Sequence, residues 1–493
     1  MASNRSGQWP GPDGMAIRRL PRGRNVKGAW HMKRFVLACL AVAGFTACAP
    51  AVHYHPRPIT PAETAARLES RSLNDPGLKE FMEKNLNRRL TSWPVTIWDL
   101  NELALAAYYF NPQMGVARAR VEAAQAAVIT AGARPNPTIS LSPGIPSPYL
   151  LGLDLLFIRQ TAGKRKIMVE EARALSSAAE YGLASTAWQV RSGLRTACLD
   201  YFMSVRQSEI LGSEVHLHSQ QVQWLSERFK IGEVARAEVA SAQLGLLNSR
   251  VALRASEGHV SETRASLAAA IGVPVSALER IKFSWAAFDH PPEAAALSPQ
   301  QIQREAVLNR LDVRRSLAQY EAAQAALQLE IANQHPDFSL GPGYHFEERN
   351  NFFTLTFSTL LPVFNRNQGP IAEAEARRKQ AAAQFLATQA NAIAQGEQAL
   401  ASYRAALREL QEARQSVAQV RNVQEPIALQ QVKFGESDQL FLNNIRLQGV
   451  ATVSAQLTAL DHLQVALGQL EDFVQRPLGP GELPLPAFKS KKQ

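Results

Sequence analysis

A long internal repeat is the feature that most constrains the fold of this chain. Glu122-Ala-Ala-Gln-Ala-Ala127 returns as Glu321-Ala-Ala-Gln-Ala-Ala326, and Pro137–Gly144 returns in related form as Pro336–Gly343. Both pairs share one register, so a single duplication explains them. Because a long unit that occurs twice differs from the many short units of a solenoid, the repeat predicts two halves with the same order of elements.

Each half is predicted to contain one shorter helix and two long helices around a β stretch. The long segments are rich in Ala, Gln, Glu, Arg and Leu, which favour helix, and they lack proline except for Pro426. A helix of about 65 residues is roughly 100 Å long, a length that suits a coiled coil or a long tube. The predicted helices are Asp99–Ala133, Lys164–Phe229 and Val234–Ile271 in the first half, and Pro299–Gln334, Gly369–Phe434 and Ser437–Val474 in the second.

The β stretch of each half alternates apolar and small polar residues. One apolar and one polar face is typical of a barrel wall with lipid outside and water inside. Four strands cannot close a barrel, whereas three chains supply twelve, so we expect a trimer with a twelve-stranded transmembrane β-barrel. The alternative is a pair of hairpins packed on a soluble core. The apolar positions are Ile139, Leu141, Leu151, Leu153, Leu155, Phe157, Phe338, Leu340, Tyr344, Phe346, Phe353, Leu355 and Phe357, and the turns are Ser142–Pro148 and Glu347–Asn351.

The N-terminus carries a targeting signal. Lys33 and Arg34 precede the mostly apolar run Phe35–Ala47, which is the pattern of a secretory signal. This run of 13 residues is too short to span a bilayer. It ends at Cys48 in a sequence that resembles the lipobox of bacterial lipoproteins, so Cys48 is the expected lipidation site and mature N-terminus. Ala49 favours, by the same resemblance, the outer membrane. The alternative is an ordinary cleaved signal with a chance cysteine.

The basic charge of the chain belongs to this signal. Removing residues 1–47 takes away eight basic residues and one acidic residue, which lowers the formal charge from +10 to +3. A nearly balanced mature chain argues against a nucleic-acid partner. No later stretch has about 18 consecutive apolar residues, so we expect no transmembrane helix.

The sequence lacks the patterns of an enzyme, a metal site or a cofactor site. Cys198 stands alone in a helical stretch and is expected to be a buried small hydrophobic residue. His216 and His218 are two positions apart and therefore lie on different faces of a helix. We predict no catalytic activity, no metal site and no cofactor. The residues that we interpret as outside any redox or metal site are Cys39, His53, His55, His216 and His218.

The composition and the repeat together divide the chain into segments. Prolines at 291, 292 and 299 mark the junction of the halves. We predict an over-extended start and lipoprotein signal peptide over 1–47, an extended N-terminal segment over 48–97, a first repeat over 98–288, a linker over 289–298, a second repeat over 299–476, and a tail containing Pro and Lys over 477–493.

Within this order of elements the chain contains Asn111-Pro112, Ala117–Ala127, Pro137, Pro336, Gly163-Lys164-Arg165 and Leu361–Gly369. Together, the order and these residues resemble the TolC family of outer-membrane efflux proteins over Trp98–Pro477. Gly163-Lys164-Arg165 and Leu361–Gly369 also resemble the CzcC-like proteins, which serve heavy-metal efflux pumps. The resemblance implies a mainly α fold with a small β part, in which three chains form the barrel and a long periplasmic helical tunnel. It implies a periplasmic adaptor and an inner-membrane transporter, expected to be of the RND type, as partners.

The resemblance also assigns roles at the periplasmic end. Pore-facing aspartates of the family correspond, counted from Gly435, to Phe441 and Asn444, so the expected pore constriction is uncharged. The glycine turns match the tips at which the adaptor docks, although glycine also suits any helical hairpin because it readily adopts a left-handed conformation. The tip residues are Ile231, Gly232, Glu233 and Val234 in the first half, and Phe434, Gly435, Glu436 and Ser437 in the second.

Three functions stay open at this point. The first is a passive channel of a tripartite efflux system, with metal cations as a candidate cargo. The second is a type I secretion duct, which has the same fold and a polypeptide cargo. The third is a periplasmic coiled-coil scaffold, which explains the long helices but not the amphipathic strands. Extraction separates the last from the others, because a scaffold held only by lipid becomes soluble in Cys48→Ala.

Overall fold

A computed structural model describes most of the chain after its N-terminal segment. The described residues are 54–90, 92–144, 150–279, 281–292, 310–348, 350–479, 482, 484 and 485. Predictions on Cys39, Cys48, His53, the signal peptide and linker residues 293–298 lie outside these ranges. The chain divides into two units, 1–64 and 65–493. In the first unit, residues 54–60 have no regular structure and helix α1 (Pro61–Glu69) begins.

The second unit is mainly helical and has a small sheet, as the sequence predicts. Its helices are α2 (Pro76–Leu86), α3 (Leu100–Phe110), α4 (Pro112–Gly132), α5 (Lys164–Lys230), α6 (Arg236–Ile271), α7 (Ala286–Asp289), α8 (Leu311–Ala332), α9 (Gln368–Gln419), α10 (Glu425–Lys433) and α11 (Gln439–Val474). Its strands are β1 (Ile97–Trp98), β2 (Thr138–Pro143), β3 (Leu150–Arg159), β4 (Lys282–Phe283), β5 (Phe338–Glu347) and β6 (Asn350–Thr359).

The prediction of an extended segment over 48–97 is wrong at α1 and α2. Asp75 caps α2, because its side chain accepts hydrogen bonds from the Gly77 N at 2.7 Å and the Leu78 N at 3.2 Å. Leu78 and Met82, one helical turn apart, are fully buried. The Asp-Pro start and the spacing of these two residues are the sequence signals that the prediction overlooked.

The predicted helix Asp99–Ala133 is two helices, α3 and α4. Pro112 lacks a backbone N–H, and the residue before a proline is driven out of the helical region, so the chain turns at Asn111. The Asn111 side chain caps α4 by accepting from the Gln113 N at 2.9 Å, and its Nδ2 donates to the Ala270 O at 3.0 Å. The break therefore also ties α3 and α4 to α6.

The long helices have the predicted lengths with one correction. Helix α5 has 67 residues and is therefore roughly 100 Å long. It packs against α4, α6, α8 and α11. The predicted helix Gly369–Phe434 is interrupted by a π-helical turn, Val420–Gln424, between α9 and α10. Pro426 is the second residue after this turn. Because a proline has no N–H to donate to the preceding turn, the helix takes the wider π form there.

The four predicted strands form one antiparallel sheet in the order β2-β3-β5-β6. Leu141, Leu153, Tyr344 and Phe353 stand in one register row across it. The apolar positions of β6 are widely exposed in the single chain, at 85% for Phe353, 74% for Leu355 and 61% for Phe357. The register thus places the predicted apolar positions on one face of the sheet. A short parallel pair, β1 and β4, was not predicted.

The largest core lies where α2, α3, α4, α5 and α6 meet. Cys198 is buried at 2% exposure, which confirms its interpretation as a small hydrophobic residue, and burial raises the pKa of its thiol to about 12. Among the described residues, no helix is both long enough and apolar enough to cross a membrane. The largest fully buried side chains of this core are Leu73, Leu78, Met82, Trp98, Met114, Leu194, Leu199, Phe202, Leu267, Ile271 and Leu278.

Candidate functional site

The two glycine turns close the long helical hairpins as predicted. Gly232 and Gly435 have φ values of 81° and 73°, a region that glycine enters without steric cost. No atom lies within 4 Å of a Cβ built on either glycine, so the backbone angle, rather than space, requires them. Ile231 and Phe434 are 70% and 73% exposed. The turns therefore present apolar side chains to the outside.

The structure brings the two turns together within one chain. The Arg228 guanidinium at the end of α5 lies 2.9 Å from the Asp438 carboxylate at the start of α11. Leu440 packs against a small cluster formed by Leu225 and Val239. These contacts join the tip of the first hairpin to that of the second.

Asp438 also caps α11. Its carboxylate accepts a hydrogen bond from the Phe441 N at 2.8 Å. Partial burial alone raises the pKa of this carboxyl, but the hydrogen bonds from the Phe441 N and from Arg228 outweigh burial and hold the pKa below its ordinary value of 3.8. Asp438 is therefore charged throughout the physiological range.

The predicted constriction residues lie on the first turns of α11. Phe441 is 41% exposed and Asn444 is exposed in the single chain. Leu442 and Asn443, between them, are buried. The Asn443 Nδ2 donates to the Leu217 O at 3.3 Å, and its Oδ1 has no hydrogen-bond partner. Sequence reasoning missed Asn443, because no local pattern distinguishes it from Asn444.

One face of the sheet is mostly apolar, and the other, called the polar face here, carries most of its polar side chains. The polar face carries Asp154, whose Oδ1 lies 3.3 Å from the His345 Nε2. The Thr356 Oγ1 donates to the same oxygen at 3.3 Å. Sequence reasoning missed this pair, since the two residues meet only through the register of β3 and β5.

A second polar group fixes the sheet to α5. Gly163, with a φ of 70°, starts that helix, and Asn367, with a φ of 66°, occupies the equivalent place before α9. The Lys164 Nζ is buried and donates to the His335 O and to the Asp337 carboxylate, both at 2.7 Å. The Gly163-Lys164-Arg165 motif thus positions β5 on the end of α5.

A buried cluster of charges joins α5, α11 and the C-terminal tail. The Glu471 carboxylate accepts from the Arg191 Nη1 at 3.0 Å and from the Leu478 N at 2.9 Å, and it lies 3.5 Å from the Arg195 Nε. Arg191 also donates to Glu482 of the tail. The cluster holds tail residues 478 and 482 against the body.

No grouping of three or more histidine, cysteine or acidic residues that suits a metal ion occurs among the described residues. His218 contacts Glu214 and Gln221 of its own helix.

Known proteins resemble this chain in sequence and in fold. No family model matches the chain. The chain is 24% identical to the pyoverdine export outer membrane protein OpmQ of Pseudomonas aeruginosa over 299 residues, which are 55% of this chain and 62% of that protein. It is 24% identical to the cobalt-zinc-cadmium resistance protein CzcC of Cupriavidus metallidurans over 234 residues, which are 46% of this chain and 54% of that one. The match thus spans less than two thirds of either relative.

Solved structures agree over a larger part of the chain. CusC superimposes with a TM-score of 0.62 at 17% identity and covers 78% of this chain and 94% of its own. VceC of Vibrio cholerae gives 0.62 at 18% identity, with coverages of 76% and 95%. The outer-membrane channel OprN gives 0.62 at 17% identity, with coverages of 86% and 98%. The fold is that of the TolC-type outer-membrane channels. The resemblance inferred from the sequence motifs is confirmed, and the glycine turns and the sheet are the two ends of this TolC-type fold.

Proposed function

We propose that this chain is one protomer of a trimeric outer-membrane channel, which passively conducts a substrate from a periplasmic adaptor and an inner-membrane pump to the exterior. The observation that carries the proposal is the four-stranded sheet, which has an exposed apolar face and is attached to helices as long as 67 residues. The same arrangement argues against a periplasmic coiled-coil scaffold, because the function of a scaffold does not require an exposed apolar sheet.

The edges of the sheet support the trimer. Strands β2 and β6 each pair on one side only within the chain, and open edges are not tolerated in lipid. Three copies that pair β6 of one chain with β2 of the next close a twelve-stranded barrel. A duplicated ancestor explains why each half supplies two strands and a long helical hairpin.

The test is the size and conductance of the detergent-extracted protein. We expect light scattering to give the mass of three chains in mild detergent, and planar bilayers to show discrete channels. A monomer with no conductance would contradict the proposal. A scaffold predicts the monomer, or a coiled coil released from membranes when Cys48 is replaced by alanine.

Heavy-metal cations are the proposed cargo class. The resistance protein CzcC matches the chain, and Gly163-Lys164-Arg165 with Leu361–Gly369 resembles the CzcC-like pattern. The match to a pyoverdine export protein makes a metal-chelate cargo the competing outcome. Deleting the gene should sensitise cells to cobalt, zinc or cadmium; normal metal tolerance with loss of a secreted siderophore or polypeptide would overturn the metal assignment.

Two further assignments rest on the same proposal. Cys48 is proposed to be acylated, which mass spectrometry of the mature N-terminus decides, and the strands should hold the protein in the membrane even in Cys48→Ala.

The glycine turns are proposed to dock the adaptor. Gly435→Val should weaken adaptor binding, because a β-branched residue resists the left-handed turn; unchanged binding would place the docking surface elsewhere.

Phe441 and Asn444 are proposed to narrow the periplasmic end of the pore. Replacing Phe441 with alanine removes a ring from each of three chains, and an apolar ring can close a pore by excluding water. We expect single-channel conductance to rise severalfold in Phe441→Ala. Unchanged conductance would show that the constriction lies elsewhere.

Asp438→Asn is the companion variant, since it weakens the contact with Arg228 while keeping the shape of the side chain. We expect a smaller rise in conductance than in Phe441→Ala. Because the pKa of Asp438 is lowered, the contact persists above the ordinary carboxyl range and is lost only as pH falls through the lowered value. Loss of this contact should therefore not open the wild-type tip between pH 7.5 and pH 5.5.

A further inference from the structure

The polar face of the sheet carries one ion pair that the proposed function does not use. Asp154 and His345 lie on neighbouring strands, β3 and β5, on the face opposite to Leu153, Tyr344 and Phe353. Because that opposite face is apolar and exposed, the proposed barrel turns it to lipid and turns Asp154 and His345 to the aqueous lumen.

Two glycines make room for this pair. In the register of β3 and β5, Asp154 lies opposite Gly343, and Gly152 lies opposite His345. A Cβ on Gly343 would be 2.2 Å from the Asp154 Oδ1, and one on Gly152 would be 3.0 Å from the His345 Nδ1. Glycine weakens a strand interior and often marks a close approach. Here each glycine lets the side chain opposite to it lie across the sheet.

The pair is held in place but stays in reach of water. The carboxylate accepts from the Thr356 Oγ1 and contacts the His345 ring, so its position is fixed from both sides. The side chains of Asp154 and His345 are 18% and 35% exposed. Ions that pass along this face can therefore interact with the pair directly.

The other groups on this face are almost all uncharged. Among the described residues, Glu347 at the end of β5 is the remaining ionisable side chain of the face, two positions from His345. Arg159 and Tyr344 belong to the opposite face. The neutral side chains on this face are Thr138, Ser140, Ser142, Leu150, Leu156, Ile158, Ser339, Asn350, Phe352, Thr354, Thr356 and Ser358.

We propose that the three Asp154–His345 pairs of the trimer form a ring that sets the charge selectivity of the lumen, and that protonation of His345 switches this selectivity. With a neutral imidazole each pair carries one negative charge, and rings of carboxylates favour cations. With a protonated imidazole each pair is neutral. Histidine is the side chain that ordinarily changes charge between about pH 5 and 8. The inference rests on the proposed trimeric channel.

The experiment measures reversal potentials of the reconstituted full-length protein across a KCl gradient at pH 8, 6.5 and 5. The wild type should prefer K⁺ over Cl⁻ at pH 8, and this permeability ratio should fall severalfold by pH 5. Asp154→Asn should show the low ratio already at pH 8, and a still lower ratio at pH 5, because a protonated imidazole then has no carboxylate partner. His345→Gln should keep the high ratio at pH 5, because the carboxylate then has no cationic partner.

Matched controls separate the ring from the rest of the protein. Glu347→Gln removes the same charge from the end of the same strand, and His335→Gln removes an exposed histidine just before it; both should keep the wild-type fall between pH 8 and 5. A ratio in Asp154→Asn equal to that of the wild type at pH 8, or a wild-type fall in His345→Gln, overturns the ring. If all variants conduct, the proposed channel stands whatever the ratios are. If none conducts, both proposals fail.

Discussion

Replacing Glu471 with glutamine is expected to lower the free energy of unfolding by about 3–5 kcal/mol, because it leaves buried guanidinium groups without their shared carboxylate. The Glu471 side chain is 1% exposed, and those of Arg191 and Arg195 are 4% and 5% exposed. A neutral amide can still accept one hydrogen bond, but it cannot offset the charge of two arginines out of water.

Unfolding of the detergent-purified protein in guanidinium chloride measures this loss. The Arg191 guanidinium lies 5.0 Å from the centre of the Trp188 ring, so Trp188, one of seven tryptophans in the chain, contributes a fluorescence signal from the cluster. A decrease of less than about 1 kcal/mol would mean that Arg191 and Arg195 are adequately balanced by their other contacts, namely Glu482 and the two oxygens of Gln464.

Two control variants show whether charge and burial cause the effect. Burial, and then the nearby Glu471 charge, raises the pKa of Glu482, so its charged form is less favoured than that of an ordinary glutamate. Glu482→Gln should therefore cost less than Glu471→Gln. Glu373→Gln removes one partner of an exposed pair with Arg377 and should change the free energy of unfolding by at most about 0.5 kcal/mol.

Local periodicity explains why much of the fold was predictable. The alternation of apolar and polar residues over 353–358 is a local pattern that predicts a strand. The long segments that are poor in proline are local patterns that predict helices. The glycine turns were equally readable, because only a left-handed residue closes these hairpins. The sequence alone therefore predicts turns at Gly232 and Gly435, where the structure has them.

Contacts between distant residues explain what was missed. Glu471 and Arg191 are 280 positions apart, and no pattern near either residue indicates that they meet. The Asp154–His345 pair depends on the register of two strands from different halves, and a shift of one residue would turn it to the opposite face. Tertiary packing decides which distant side chains contact each other, and a single sequence does not show that packing.

The two breaks in the helices have local signals in the sequence. The proline of Asn111-Pro112 disfavours a helical conformation at the residue before it, and a helix boundary lies there. Pro426 was noted as an exception within a long helix, and the π-helical turn before it is the local form that this exception takes.

Replacing Phe473 with alanine is the other large expected effect, about 3–5 kcal/mol in the free energy of unfolding. Phe473, near the end of α11, is 3% exposed and packs over α9 at Gly396. A Cβ built on Gly396 would lie 2.3–2.7 Å from three atoms of the Phe473 ring. Glycine costs about 1 kcal/mol relative to alanine inside a helix, so its presence in α9 has a packing reason: the ring fills the space that a side chain would take.

A double-mutant cycle tests that reason. Gly396→Val alone should cost about 1–3 kcal/mol, because the valine and the ring cannot share the space. In the double variant the valine occupies part of the volume that Phe473→Ala vacates, so the combined loss should be smaller than the sum of the single losses. Gly258→Val in α6, where no atom lies within 4 Å of an added Cβ, is the matched control and should be nearly neutral. The guanidinium chloride midpoints of the purified variants measure these losses in the free energy of unfolding. Additive losses at Gly396 and Phe473, or equal losses at Gly396 and Gly258, would contradict a close contact between α9 and α11 at this point.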